Sequence, residues 1–144
     1  MTYSDEIWRL VEPDLGKISE GLSFLGIKLW KPGMFFMGAP DSVLKKITGS
    51  FPAKKRSAGS SHPIFVLEVY PAETYHRVCP CTSKYVSGAR YIRAGCVLEH
   101  TSKLMARTSF LLEKFAFSLP FSAKWIGQLR YMGTVPEECV KQGV

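Results

Sequence analysis

Hydrophobic and polar positions along the chain follow two regimes that meet at Lys31-Pro32-Gly33. Before that point Ile7, Leu10, Val11, Leu15, Ile18, Leu22 and Leu25 recur at helical spacing. They follow a Ser4 N-cap with Asp5 and Glu6 in the first turn, a pattern that predicts helix. Pro13 kinks or splits that helix, and Gly16, Gly21 and Gly26 each cost about 1 kcal/mol relative to alanine. Residues 1–30 are therefore predicted as an N-terminal helical extension, one or two short helices that need a larger body to pack on. After the boundary the chain turns to short apolar and β-branched runs separated by turn residues. Residues 34–37, 64–70, 77–81, 89–92, 109–117 and 129–132 are predicted as strands. They do not alternate with helices, which disfavours a parallel sheet. Residues 31–144 are expected to form a mainly β domain, a strongly bent antiparallel sheet or partly open barrel. The stretch 40–63 is predicted as a long basic loop with a helical turn at 43–47. Thr134 and Pro136-Glu137-Glu138 predict the start of a short C-terminal helix.

Composition changes this picture little. With 144 residues and 46% of them hydrophobic, the chain buries roughly two-thirds of its unfolded surface, enough for a core without staples. No window approaches the ~18–20 apolar residues of a membrane span. The first residues are acidic where a secretory signal is basic, so the expected location is the cytoplasm. A reducing compartment keeps Cys79, Cys81, Cys96 and Cys139 as thiols. Cys79-Pro80-Cys81 lacks the wider spacing usual for zinc and reads as buried strand cysteines.

Charge narrows the choice of partner. The formal net charge is +7, but residues 1–30 carry −2 and residues 31–144 carry +9. Lys45, Lys46, Lys54, Lys55 and Arg56 crowd the long loop, and Phe51, Tyr75, Tyr85 and Tyr91 lie among the basic segments. Cations neutralise phosphates and rings stack on unpaired bases, so the composition suits an acidic polymer. Walker loops, G-x-G-x-x-G, H-E-x-x-H and G-x-S-x-G motifs are absent from the sequence.

Five segments in fixed order carry a more specific signal: MFFMGAPD at 34–41, HPIFVLEV at 62–69, VCPCTSK at 78–84, TSFLLEK at 108–114 and IGQLRYMGTVPEE at 126–138. In order and spacing they resemble the MazF/PemK family of toxin endoribonucleases, whose small barrel is shared with the CcdB-like toxins. The resemblance spans roughly residues 33–142, its most specific pieces being 78–84 and 133–138. It implies a small SH3-like antiparallel β-barrel that cleaves single-stranded RNA without a metal or other cofactor, through attack of the ribose 2′-hydroxyl on the adjacent phosphate. It also implies a homodimer and an antitoxin protein as partners.

Such chemistry needs a base near the 2′-oxygen, positive charge or donors on the phosphate, and an acid for the leaving oxygen. By the resemblance, Thr82 and Ser83 fall on the family's Thr-Ser turn, and Glu113 falls where some relatives carry an acidic catalytic residue. His62 stands where the family has Arg before Pro, and Leu111 where those relatives have Arg. Histidine moves protons near neutral pH but does not clamp phosphate as arginine does. The expected catalytic set is Thr82, His62 and Glu113, with Ser83, Arg77, Lys84, Arg56 and Lys55 contacting RNA. The missing arginine keeps a second reading open, a non-catalytic barrel that binds nucleic acid or protein. The acidic N-terminal segment either docks on the basic face in cis or packs its apolar stripe on the barrel.

Overall fold

The computed structural model describes residues 26–52, 59–70 and 72–143. The predicted helices of residues 1–25, and Lys54, Lys55 and Arg56 of the basic loop, lie outside the described residues. Nine elements order the rest: β1 (Met34–Pro40), α1 (Asp41–Thr48), β2 (Ser61–Val69), β3 (Tyr75–Thr82), β4 (Tyr91–Ile92), β5 (Ser109–Leu111), β6 (Phe117–Pro120), β7 (Arg130–Thr134) and β8 (Val140–Lys141). Short 3-10 turns at Ile27–Leu29, Glu113–Phe115, Lys124–Gln128 and Glu137–Cys139 link them. The strands pair antiparallel in the order β7-β1-β2-β3-β5-β4-β8, with β6 also on β3. The fold is mainly antiparallel β with a curled, half-barrel sheet, and α1 is the one α-helix among the described residues.

The curl originates in β3, whose outer edge has two partners. Tyr75 to Val78 pair with β6, whereas Cys81 and Thr82 pair with β5. Between them stands Pro80, which has no N–H for a ladder, so the facing strand cannot run through unbroken. The single strand predicted at 109–117 is accordingly two strands separated by the 3-10 turn Glu113–Phe115. The hairpin at 95–105 then reaches the far edge, where Glu99 and Thr134 exchange both backbone hydrogen bonds at 2.8 and 3.1 Å. Gly133 makes that approach possible: at φ +136°, a Cβ there would meet the Leu98 Cβ at 2.5 Å.

Consecutive residues of the central strands enter different cores. Phe36, Ile64, Val66 and Val78 face one cluster, closed by Trp30, Leu44, Phe51, Phe117 and Leu119. Phe35, Phe65, Cys79 and Cys81 face the other, closed by Ile92, Cys96, Leu98, Leu111 and Val135. This is why the strands read as apolar runs without alternation. Helix α1 extends the turn predicted at 43–47 to eight residues. Asp41 sits favourably at its positive end, and Gly49, left-handed at φ 76°, closes it by donating its N–H to the Lys45 carbonyl.

Three further expectations are corrected. The predicted C-terminal helix is a single 3-10 turn at Glu137–Cys139, after which β8 pairs with β4, because Cys139 is drawn into the second core. The cysteines are not four thiols: Cys96 and Cys139 form a disulfide across 43 residues, with Cα atoms 5.9 Å apart. Cys79 and Cys81 remain thiols, and burial pushes that of Cys81 well up, which leaves it inert. Phe51, one of the rings offered for stacking on unpaired bases, is buried at 2% exposure. Among the described residues no helix is long and apolar enough to cross a membrane.

His76 is buried under Trp30 and Phe121. The Tyr70 N–H donates to its Nδ1 at 3.1 Å, so Nε2 carries the proton and donates to the Ile27 carbonyl at 2.7 Å. Burial lowers its pKa, and the Ile27 bond opposes this only in part. Below an ordinary histidine pKa of about 6.5 the unfolded chain binds a proton that the folded ring resists. The associated stability is complete above that pH and is lost as pH falls through it. The urea midpoint is expected to drop between pH 7.5 and 5.5, with a shallower drop in His76→Gln whatever its absolute stability. Replacing Cys96 and Cys139 by alanine together is expected to cost about 2–4 kcal/mol in denaturant titrations, because a long loop is released in the unfolded chain.

Candidate functional site

With both faces of the central sheet buried, polar chemistry collects where the strands end. At the β1–α1 junction the Asp41 N–H donates to the Ser60 carbonyl at 3.1 Å. Ser60 Oγ donates to Asp41 Oδ2 at 2.6 Å, and His62 Nδ1 lies 2.5 Å from Asp41 Oδ1. The Asp41 side chain is 8% exposed and that of His62 30%. A carboxylate only accepts, so Nδ1 carries the proton and the lone pair of the neutral ring falls on Nε2. The edge-on ring of Phe51, 5.0 Å away, fixes the imidazole from a second direction. Ser60 bonds the far side of the carboxylate and not the imidazole, so the trio is not an activated-serine arrangement.

Strand pairing brings the second half of the site to this histidine. Ile64 pairs with Pro80 across β2 and β3, and continuing that register by two residues sets His62 opposite Thr82. Thr82 Oγ1 accepts the Lys84 N–H at 3.2 Å and shapes the turn that exposes Ser83 and Lys84. His62, Thr82 and Lys84 line a cavity of about 480 Å³ together with Asp41, Phe51, Lys114 and Phe115. The same three residues, with Ser83, line an adjoining depression of about 390 Å³ walled by Phe35, Met37, Met105, Met132 and Arg107.

Of the residues expected from sequence, His62, Thr82, Ser83 and Lys84 therefore meet. Glu113 does not join them. Arg90 Nε and Nη2 hold its carboxylate at 3.1 and 2.5 Å, and that hydrogen bond raises the Arg90 pKa further. Glu113 lines a separate depression beside Ser87 and Gly88. Arg77 is five residues up β3, about 17 Å at strand rise, and lines neither cavity. Lys55 and Arg56 lie outside the described residues.

Sequence reasoning missed Asp41, Ser60, Lys114 and Arg107. Asp41 was visible as an acidic residue opening a helix after Pro40, but its link to His62 arises only when Ala39 and His62 pair across β1 and β2. Lys114 adjoins Glu113, and nothing in the sequence says which of the two faces the cavity. No protein-family model matches the chain, and a search of the curated proteins finds no match. Asp41→Ala strands the Ser60 hydroxyl and the His62 N–H, and is expected to lower stability by about 1–3 kcal/mol in chemical denaturation.

Proposed function

We propose that this chain is a small SH3-like barrel of the MazF/PemK kind that cleaves single-stranded RNA without a metal. The observation that carries the reading is the Asp41–His62 pair, held 2.5 Å apart at the sheet end in a cavity shared with Thr82, Lys84 and Lys114. The histidine occupies the place where the resemblance has arginine. An arginine there would bring a fixed charge; an imidazole with an oriented carboxylate partner brings a proton acceptor.

The transfer balances with residues of this cavity. His62 Nε2 takes the proton of the ribose 2′-hydroxyl as the 2′-oxygen bonds to phosphorus. The bond from phosphorus to the 5′-oxygen breaks, and a lysine ammonium of the same cavity protonates that oxygen. The products are a 2′,3′-cyclic phosphate and a 5′-hydroxyl. The proton of the Thr82 hydroxyl is not used in its bond with the Lys84 N–H, and it is directed to a non-bridging phosphate oxygen as charge builds there. Asp41 positions the imidazole by accepting from Nδ1. The family's homodimer and antitoxin partner belong to the same proposal.

The test is a long single-stranded RNA incubated with the protein in EDTA. Discrete fragments ending in 2′,3′-cyclic phosphate are expected. His62→Ala is expected to lower the rate about 10²–10⁴-fold, the usual worth of a general base. Asp41→Asn and Thr82→Ala, checked for folding, should each slow cleavage with the fragment pattern unchanged. Intact RNA with the folded wild-type protein contradicts the nuclease and leaves a nucleic-acid- or protein-binding barrel.

A further inference from the structure

The two depressions that meet at His62, Thr82 and Lys84 belong to opposite faces of the sheet. The larger continues the first core, through Phe51, Leu112 and Phe115. The smaller continues the second, through Phe35, Met37, Met105 and Met132. The shared residues stand at the start of β2, the end of β3 and the turn that follows it, on the rim where one face gives way to the other.

The walls differ in chemistry. On the first side Tyr85 is 68% exposed, edge-on to Phe110 at 5.5 Å, and Phe115 carries the Lys114 ammonium 5.2 Å from its ring centre. Aromatic faces of this kind stack on any base. On the second side the walls are thioethers and Leu104, 64% exposed, which adapt to shape, with the Arg107 guanidinium beside them. A guanidinium fork matches the paired acceptors on one edge of guanine. Each volume falls in the range that holds a small ligand.

We infer that single-stranded RNA crosses this rim with a phosphate on Thr82 and Lys84 and its two flanking bases on opposite faces, one stacked beside Tyr85 and Phe115, the other held in the methionine-walled depression with guanine read by Arg107. This deepens the ribonuclease reading and rests on it. It explains physically why the substrate is single-stranded: paired, stacked bases cannot splay to two sides of a sheet.

The test uses a uridine-flanked oligonucleotide with 2′-deoxyribose at the scissile nucleotide, which prevents cleavage, and 2-aminopurine on one side or the other of that phosphate. Fluorescence quenching is expected from one side only, reduced at least fivefold by Tyr85→Ala and unchanged by Arg107→Ala. On the other side guanine should bind at least fivefold more tightly than adenine, a preference lost in Arg107→Ala and kept in Tyr85→Ala. Equal quenching from both sides, or both variants acting on one side, overturns the straddled path while cleavage of RNA by the wild type keeps the ribonuclease reading. Failure to bind this oligonucleotide overturns the inference, and RNA left uncut in the separate EDTA assay brings down the ribonuclease reading with it.

Discussion

Phe35 and Phe36 are neighbours in the chain and enter different cores, as do Phe65 and the Ile64 and Val66 that flank it. A sheet wet on one side would set one of each pair in water, so the β1–β2–β3 sheet exists only if something covers each face. Helix α1 and the segments around Trp30, Phe117 and Ile126 cover one face, and the hairpin at 95–105 with the C-terminal residues covers the other. Each fully buried side chain of this size is worth roughly 1.5–3 kcal/mol, which is why short strands and single 3-10 turns suffice to hold the shape. The same burial leaves no sheet face free for polar chemistry. Strand ends and turns are the places that remain, and His62, Thr82 and Lys84 occupy them.

A buried carboxylate organises that rim. Asp41 accepts from Ser60 Oγ and His62 Nδ1 while its own N–H bonds the Ser60 carbonyl, so one residue joins the end of β1, the start of α1 and the entry to β2. Structural and chemical roles coincide in it. The bonds that satisfy the buried carboxylate also select the imidazole tautomer and hold the ring beside Phe51. Within the proposed reaction this replaces the fixed charge of an arginine by an oriented proton acceptor, with Lys84 and Lys114 supplying positive charge from the turn and from the segment after β5.

How far the sequence disclosed this follows the range of each interaction. Local signals worked: the apolar runs placed β1, β2, β3 and β7, and the residues around Val43 announced α1. Signals that depend on a distant partner did not. Pro80 interrupts the ladder of a strand some thirty residues away, so the run at 109–117 looked continuous. Cys139 turns the expected C-terminal helix into a strand because Cys96 and the second core lie beside it. At the site, His62, Thr82 and Lys84 were recognisable because the resemblance gives their positions a role. Asp41 ends the 34–41 segment without one, since its role exists only across the β1–β2 pairing, and Glu113 looked available because Arg90, twenty-three residues before it, gave no local sign of claiming its carboxylate.

The tautomer of His62 is the most direct measure of whether Asp41 organises the rim. A long-range ¹H–¹⁵N spectrum of the uniformly labelled protein at pH 8, with His62 assigned by its loss in His62→Gln, reads which ring nitrogen bears the proton. The account predicts a proton on Nδ1 in the wild type and a loss of that selection in Asp41→Asn. A His62 ring protonated at Nε2, or one whose tautomer is indifferent to Asp41→Asn, contradicts it.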